Sequence, residues 1–287
     1  MKSQISGTTQ LIGIVANPIR HSISPKMHNA AFEKLQLDYA YLAFEVEEGQ
    51  LAEAVAGLRA LGARGFNVSM PYKSKVIPYL DELSPAATLC QAVNTVVNEA
   101  GKLVGHMTDG SGLMQALRDE GFEVSGKKIT IVGCGGAGKA IQIQAALDGA
   151  RELAIFNRSM ARGQEMADLI NRHTSTKATF YPLGNEALLK EQLATSDLLI
   201  NATNIGMGEL KDQSFIKDSS LLPRDLFVCD IIYNPAKTKL LQQAEERGCR
   251  IMNGVGMIIY QGAEAFKKWT HHEMPIEEIK NVLNLKG

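Results

Sequence analysis

The sequence ITIVGCGGAG, residues 129–138, decides the fold of the second half of the chain. Its first four residues belong to a strand pattern at 128–132. Gly133, Gly135 and Gly138 follow in the spacing GxGxxG and lead into a helix pattern at 138–147, rich in alanine and isoleucine. In such a unit the first glycine permits a tight turn, the second lets the backbone approach a diphosphate, and the third lets helix and strand pack closely. The stretch therefore predicts a βαβ dinucleotide site, where the helix N-terminus stabilises the charge of the diphosphate.

Strand and helix patterns alternate on both sides of this unit. Downstream strand patterns, with helices between them, lie at 153–156, 198–202, 227–231 and near Ile251. Upstream strand patterns lie at 11–15, 39–44 and 65–68, and upstream helix patterns lie at 27–35, 51–61 and 113–120. The downstream series predicts a parallel, doubly wound sheet, and the whole chain reads as α/β.

We expect two domains. We expect residues 1–112 to form an N-terminal α/β domain that binds the substrate. We expect residues 113–256 to form a C-terminal Rossmann-like domain with a parallel sheet. Helix patterns at 257–269 and 276–285 follow the last strand, and we expect residues 257–287 to pack back on the first domain.

Charge and hydropathy exclude several classes of partner. The 287 residues carry 30 basic and 31 acidic side chains, and the pI is near 6.6. Without a strong positive field, nucleic acid and anionic membranes are disfavoured, and a small-molecule partner is favoured. Residues 1–10 are polar, and no apolar run is long enough for a membrane span, so we expect a cytoplasmic protein.

The cysteines and histidines predict neither disulfides nor a metal site. The four cysteines stand far apart without paired short spacings, which fits a reducing compartment: Cys90, Cys134, Cys229 and Cys249. His271 and His272 are adjacent, so they cannot share a helix face, and no cluster of carboxylates or thiols supports them as ligands. We expect no bound metal.

The residues after the second strand of the dinucleotide unit bear on the choice of cofactor. An acid often stands there to bind a ribose hydroxyl of NAD, but this chain has Asn157, Arg158 and Ser159. Arg158 and Arg162 could clamp a 2′-phosphate, which favours NADP and leaves NAD possible. Two alternatives stay open: both arginines could be ordinary surface charges, or Arg158 could stack on an adenine.

Two serines precede the first long helix pattern. Ser24 and Pro25 fit the N-cap and the first helical position, which leaves Ser22 free. A pair of hydroxyls at a positive helix end would also suit a small carboxylate. The spacing alone does not choose between a helix cap and a carboxylate site.

A lysine and an aspartate in the first domain could handle a proton. Lys73 follows the strand at 65–68 and is expected in a turn into a helix at the carboxyl edge of the sheet, while Asn94 and Asp109 are expected in nearby loops. Oxidising a secondary alcohol removes a proton from the hydroxyl as hydride leaves the carbon, so a Lys–Asp pair could act as a proton relay. A solvated surface lysine is the alternative.

Taken together and in order, these motifs resemble the shikimate dehydrogenase family nearly end to end. The resemblance is carried by the glycine turn and by the segments 22–25, 67–73, 92–95, 108–110, 157–159 and 254–257, with Gln261. It implies reversible NADPH-linked reduction of 3-dehydroshikimate to shikimate, in the biosynthesis of chorismate and aromatic amino acids. It also implies a soluble monomer or homodimer.

The resemblance assigns roles to particular positions. It implies Lys73 as the acid/base residue with Asp109 beside it. The residues implied to bind the substrate are Ser22, Ser24, Ser69, Asn94, Tyr233 and Gln261. The residues implied to bind the cofactor are Gly133, Cys134, Gly135, Gly136 and Ala137 at the diphosphate, Asn157, Arg158, Ser159 and Arg162 at the adenosine phosphate, and Ile231 and Gly254 beside the nicotinamide.

Two departures leave the substrate open. The family usually has asparagine before its Thr-Asp-Gly, whereas Met107 stands here. The phrases at 20–22, 41–44 and 260–266 also resemble the quinate/shikimate dehydrogenase subgroup, whose members accept quinate and sometimes NAD. A catalytically idle NAD(P)-binding regulator on the same fold is the alternative from another class.

Overall fold

The computed structural model describes residues 5–20 and 22–284. The chain divides into two compact units, of which the second is Leu113–Ile258. The first unit combines the residues up to Gly112 with those from Ile259 onwards. The chain passes from one unit to the other inside two helices, because each boundary falls within a helical segment.

The first unit contains a mixed sheet of six strands in the order β2-β1-β3-β5-β6-β4. Its strands are β1 (Gln10–Ala16), β2 (Tyr39–Glu45), β3 (Gly65–Val68), β4 (Glu82–Leu83), β5 (Thr95–Glu99) and β6 (Lys102–His106). Its helices are α1 (Ser24–Leu35), α2 (Leu51–Ala60), α3 (Pro85–Cys90) and the start of α4 (Asp109–Asp119). Because β3 is parallel to β1 but antiparallel to β5, the end of β3 and the start of β5 meet at one edge.

The second unit contains six parallel strands in the order β12-β11-β10-β7-β8-β9. Its strands are β7 (Lys128–Val132), β8 (Glu152–Asn157), β9 (Lys177–Pro182), β10 (Leu198–Asn201), β11 (Phe227–Asp230) and β12 (Arg250–Met252). Its helices are the rest of α4, α5 (Gly136–Leu147), α6 (Met160–His173), α7 (Glu186–Leu193), α8 (Lys239–Glu246) and the start of α9 (Val255–Thr270). The rest of α9 and α10 (Ile276–Leu283) belong to the first unit. The chain runs outward from β7 in both directions, and ligands bind at the carboxyl ends of strands at such a switch point.

The structure confirms the α/β class and the parallel doubly wound second sheet. Strands β3 and β7 have the predicted bounds, and α5 begins at Gly136, two residues before the predicted start. The predicted last helix reached Leu285, which lies outside the described residues. Among the described helices, none is long and apolar enough to cross a membrane.

A fully buried histidine lies in the core of the first unit. His28 stacks on Tyr41, with ring centroids 4.5 Å apart, and it also packs against Phe266 and Trp269. Neither ring nitrogen has a hydrogen-bond partner among the described residues. Burial lowers the pKa of His28 from 6.5 to about 3, so the imidazole is neutral in the folded protein.

This histidine predicts a loss of stability in mild acid. The unfolded chain takes up a proton at His28 below pH 6.5 whereas the folded chain does not, so stability falls as the pH drops toward 3. The free energy of unfolding should fall by about 1.4 kcal/mol for each pH unit in that window. Urea unfolding at pH 7 and pH 4.5 measures the loss, and His28→Phe should reduce it. Equal losses in the wild type and the variant would contradict the prediction.

Candidate functional site

The candidate site of the first unit is an ion pair at the carboxyl edge of the first sheet. Lys73 lies in the turns after β3, and Asp109 is the first residue of α4, which begins three residues after the end of β6. The Nζ of Lys73 donates to the Oδ2 of Asp109 at 2.6 Å. The lysine side chain is 30% exposed and the aspartate 12%, so the pair is partly desolvated but open to a ligand.

A buried amide holds the other oxygen of this carboxylate. The Nδ2 of Asn94 donates to the Oδ1 of Asp109 at 2.7 Å, and its Oδ1 accepts from the backbone N–H of Thr108 at 2.8 Å. Asn94 immediately precedes β5, and the backbone N–H of Val93 donates to the carbonyl of Lys73 at 2.7 Å. The structure therefore brings together the three polar side chains that the sequence placed in separate segments: Lys73, Asn94 and Asp109.

Ser22 and Ser24 lie at the start of α1, but the predicted helix cap is wrong. The N-cap position is Ile23, Ser24 is the first helical residue, and no side chain caps this N-terminus. The Oγ of Ser22 instead accepts from the backbone N–H of Ser24, at 3.3 Å. Both serines are half-buried, and so is Ser69, which directly follows β3.

The other two residues implied to bind substrate lie in different units. Gln261 lies on α9 in the first unit, where its backbone carbonyl accepts from the Oγ1 of Thr108 at 3.1 Å. A side chain at Gly112 would lie 2.5 Å from the backbone nitrogen of Gln261, so glycine allows α4 and α9 to approach each other. Tyr233 follows β11 in the second unit and is 48% exposed.

The glycine turn between β7 and α5 forms a candidate site on the second unit. Gly133 has φ +108°, and a side chain there would lie 2.6 Å from the carbonyl oxygen of Ala202. Gly135 occupies the N-cap position, and both Gly135 and Gly136 are exposed. Gly136 and Ala137 form the first turn of α5, whose backbone N–H groups precede the helical hydrogen bonds and are suited to a diphosphate.

Gly138 lets α5 pack onto the turn, which gives a testable prediction. A β-carbon at this position would lie 2.3 Å from the carbonyl oxygen of Gly133, so Gly138→Ala must move the helix away from the turn. We expect the variant to weaken NADP binding at least about tenfold and to lower stability by about 1–3 kcal/mol. Calorimetric titration and thermal unfolding measure both effects.

Gly57→Ala is the matched control, because a β-carbon at Gly57 meets nothing within 4 Å and the position lies inside α2. It should bind NADP as the wild type does. Unchanged NADP affinity in Gly138→Ala would show that close packing of α5 is not needed for the site.

A cavity of about 370 Å³ runs beside the glycine turn. Its lining comprises Gly133, Cys134, Gly135, Asn157, Arg158, Arg162, Leu183, Ala202, Thr203, Asn204, Ile205 and Leu210. The Oδ1 of Asn157 accepts from the backbone N–H of Cys134 at 3.2 Å, which joins the end of β8 to the turn. Ser159 is the N-cap of α6, where its side chain accepts from the backbone N–H of Arg162.

A second cavity, of about 260 Å³, lies between the first turns of α5 and α6. Arg162 lines both cavities, and Lys139 lines the second together with Glu165. Over the described part of the chain, no carboxylate lies within 4.0 Å of a charged nitrogen of Arg158, Arg162 or Lys139. Three cations without ion-pair partners therefore surround the glycine turn and suit an anionic ligand.

Ile231 and Gly254 lie against each other beyond the end of β11. A β-carbon at Gly254 would lie 1.9 Å from the carbonyl oxygen of Ile231, so only glycine fits there. Behind them Asp230 is fully buried, and its carboxylate accepts from Asn201, Thr238 and the backbone of Ile232. Burial raises the pKa of Asp230, while these donors oppose the shift.

The residues of the second unit fit a dinucleotide. Gly133 and Gly138 occupy places that a side chain would fill, and unpaired cations flank the cavity beside them. No group of three or more histidine, cysteine, aspartate or glutamate side chains among the described residues could hold a metal ion.

Sequence reasoning missed several residues of the site. Thr108 joins Asn94 to the backbone of Gln261, and Lys139 adds a cation one turn into α5. A lysine following the last glycine of a GxGxxG turn is a signal that could have found Lys139. Thr203 and Asn204 line the first cavity, and only their place after a strand of the parallel sheet marks them.

Comparisons with known proteins agree over nearly the whole chain. Residues 14–96 match the model of the shikimate dehydrogenase substrate binding domain. Residues 115–232 match the model of shikimate / quinate 5-dehydrogenase, and 254–283 match that of the shikimate 5′-dehydrogenase C-terminal domain.

Individual relatives are similar over their full length. The shikimate dehydrogenase (NADP(+)) of Streptococcus uberis is 53% identical, with 99% of this chain and 98% of that protein covered. The shikimate dehydrogenase (NADP(+)) of Listeria innocua is 50% identical, with 98% and 97% covered. The crystal structure of shikimate 5-dehydrogenase from Listeria monocytogenes in complex with shikimate and NAD has a TM-score of 0.96 at 49% identity, covering 99% of both chains.

Proposed function

Because the chain belongs to the shikimate dehydrogenase family, we propose that it catalyses the reversible NADPH-linked reduction of 3-dehydroshikimate to shikimate. It is an NAD(P)-dependent oxidoreductase acting on a CH–OH group. The product serves the biosynthesis of chorismate and the aromatic amino acids.

The observation that carries the proposal is the Lys73–Asp109 pair with Asn94 behind it. Reduction of a ketone needs a proton at the oxygen as hydride reaches the carbon, and the reverse reaction needs the same proton removed. The Nζ of Lys73, 2.6 Å from Asp109, is partly exposed and can reach a ligand oxygen. Asn94 fixes the carboxylate through its second oxygen, so the pair is held in one arrangement.

We assign substrate binding to residues 1–112, with the C-terminal helices of residues 257–287 packing back on them. A polyhydroxylated ring acid needs many hydrogen bonds and one carboxylate site. Ser22 and Ser24 at the start of α1 suit the carboxylate, since the helix N-terminus adds positive potential. Ser69, Asn94 and Gln261 supply further polar groups on the first unit, and Tyr233 is assigned from the second.

We assign cofactor binding to the second unit. The five residues Gly133, Cys134, Gly135, Gly136 and Ala137 would hold the diphosphate at the start of α5. Asn157, Arg158, Ser159 and Arg162 would hold the adenosine phosphate, and Ile231 and Gly254 would lie beside the nicotinamide. The reduced nicotinamide, when bound, supplies the hydride.

A quinate/shikimate dehydrogenase that uses NAD or NADP is the second candidate. The model that matches residues 115–232 is described for both ring acids. Met107 is 5% exposed and lies directly before Thr108 and Asp109, where an apolar side chain replaces an amide. A change in polarity beside the acid/base pair bears directly on which hydroxylated ring is preferred.

One assay separates these functions. Purified protein is mixed with shikimate or quinate and with NADP or NAD, and the absorbance of the reduced nicotinamide is followed. The proposal expects the highest kcat/KM with shikimate and NADP. Higher kcat/KM with quinate would favour the second candidate, and no signal in any of the four mixtures would favour a catalytically idle NAD(P)-binding regulator.

We also propose a cytoplasmic location and a monomeric or homodimeric state. All four cysteines are free thiols, and three of them are buried, which suits a reducing compartment. Sedimentation velocity at several protein concentrations distinguishes the two oligomeric states.

A further inference from the structure

A buried tyrosine of the first unit is hydrogen-bonded to the polar residues behind the acid/base pair. Tyr41 lies on β2 and is 1% exposed, and its hydroxyl donates to the Oδ1 of Asn67 at 2.7 Å. Asn67 lies on β3, one residue before the end of that strand, so this hydrogen bond joins β2 to the end of β3.

From Tyr41 a directed chain of hydrogen bonds leads to the acid/base pair. Since Asn67 receives the tyrosine proton at its Oδ1, its Nδ2 must face the other way, where it donates to Asn94 O at 2.9 Å and to the Oγ1 of Thr95 at 3.1 Å. Thr95, having accepted there, gives its own proton to the Oδ1 of Asn94 at 3.1 Å. The same Oδ1 also accepts from the backbone N–H of Thr108 at 2.8 Å, and the Nδ2 of Asn94 faces Asp109.

Both carboxamides of this chain are held at both ends. A carboxamide offers a carbonyl at one end and an amino group at the other. The Oδ1 of Asn67 accepts from Tyr41, and the Oδ1 of Asn94 accepts from Thr95 and from the backbone N–H of Thr108. The members are shielded from solvent: Asn67 is 6% exposed, Asn94 3% and Thr95 0%. Water therefore cannot easily replace a lost partner.

Aromatic packing fixes the tyrosine ring from behind. His28 stacks on it at 4.5 Å, and Trp269 lies at 6.1 Å in a tilted arrangement. Because His28 has no hydrogen-bond partner among the described residues, it contributes shape rather than polarity. The packing of His28 and Trp269 against the ring leaves the hydroxyl of Tyr41 little freedom to reach any other acceptor.

We propose that Tyr41 is a positioning residue for the dehydrogenase reaction, which orients Asn67 and, through Thr95 and Asn94, the carboxylate of Asp109 against Lys73. This inference rests on the proposed function. Tyr41 acts through Asn67 and not on the reacting atoms: its hydroxyl anchors Asn67, whose amide group supports Asn94 and Thr95.

Tyr41→Phe tests the proposal, because it removes the hydroxyl and keeps the ring. We expect kcat with shikimate and NADP to fall about fivefold to tenfold, the value of one well-placed buried hydrogen bond, with the KM for NADP unchanged. The primary isotope effect with shikimate deuterated at the oxidised carbon should rise, since hydride transfer becomes more nearly rate-limiting. A purely structural role would lower the unfolding temperature and leave kcat and the isotope effect unmoved, which would overturn the proposal.

Tyr39→Phe is the matched control. Tyr39 lies two residues earlier on the same strand, and its ring stacks on Phe32 at 5.2 Å, away from the hydrogen-bond chain. It should keep wild-type kcat. A fall in kcat equal to that of Tyr41→Phe would show that any tyrosine of β2 matters equally, and would overturn the proposal.

A second pair of variants applies if Tyr41→Phe does not fold. Thr95→Val breaks the chain at a later link, whereas Thr95→Ser keeps the hydroxyl. We expect kcat to be lost in the first and retained in the second. Equal kcat in both would overturn the chain. An inactive wild type would instead defeat the proposed function itself, so the two failures are distinguishable.

Discussion

Replacing Lys73 by alanine is expected to lower kcat by about 10²- to 10⁴-fold, the usual contribution of a positioned acid or base. The ammonium group is the partly exposed member of the pair with Asp109, and no other lysine is paired with that carboxylate among the described residues. Steady-state kinetics with shikimate and NADP measure the loss. Calorimetry should show NADP affinity within about twofold of the wild type, because Lys73 lies in the unit without the glycine turn.

The same turn of the chain offers a control for this variant. Lys75 lies two residues further on and forms an ion pair with the exposed Glu48. Exposed pairs of this kind contribute little, so Lys75→Ala should keep nearly wild-type turnover and stability. If Lys73→Ala lost turnover and NADP affinity to the same degree, Lys73 would be part of a general structural requirement and not the acid/base residue.

Replacing Arg158 and Arg162 by alanine is expected to weaken NADP far more than NAD. Each guanidinium can give charge-assisted hydrogen bonds to a 2′-phosphate, which are worth about 1.5–3 kcal/mol. Each single variant should therefore lower NADP affinity by about 10- to 100-fold. NAD lacks this phosphate, and its affinity should change much less. Dissociation constants for both cofactors measure the difference.

Arg172→Ala is the control, because Arg172 is an exposed residue in the last turn of α6, the helix that carries Arg162. It should leave both affinities unchanged. If Arg158→Ala weakened NAD and NADP equally, Arg158 would stack on the adenine and the phosphate clamp would be excluded.

Local motifs made the second unit predictable. The glycine turn and the strand before it depend on residues within a few positions of one another, so their spacing is visible in the sequence. The alternation of strands and helices then fixes a parallel sheet with few possible connections.

The antiparallel part of the first sheet was not predicted, for a physical reason. Strands β5 and β6 join through Ala100 and Gly101, which both have positive φ, as a tight hairpin turn requires. Asparagine or aspartate before glycine is the usual sequence signal of such a turn. Here Ala100 precedes the glycine, so that signal is missing. Here Asn98 supports the turn by accepting from the backbone N–H of Gly101 at 2.7 Å.

The polar chain behind Asp109 was equally invisible in the sequence. Tyr41 lies on β2, Asn67 lies on β3 and Asn94 immediately precedes β5, and they meet only because β2, β1, β3 and β5 follow one another in the sheet. The role of Ser22 at the start of α1 was missed because either of two nearby hydroxyls could satisfy the free N–H groups there. Spacing identifies candidates for such contacts, and only the fold selects among them.

The division of the first unit between the two ends of the chain has a consequence during synthesis on the ribosome. Its core needs Ala265, Phe266 and Trp269, which pack with Tyr41 and Phe32. Those residues emerge only after every strand of the second unit has been translated. Nascent domains usually fold in the order in which they are made. In this protein the N-terminal part of the first unit cannot complete its core, and keeps apolar surface exposed, until helices α9 and α10 have been synthesised. The later half can complete its own sheet before then.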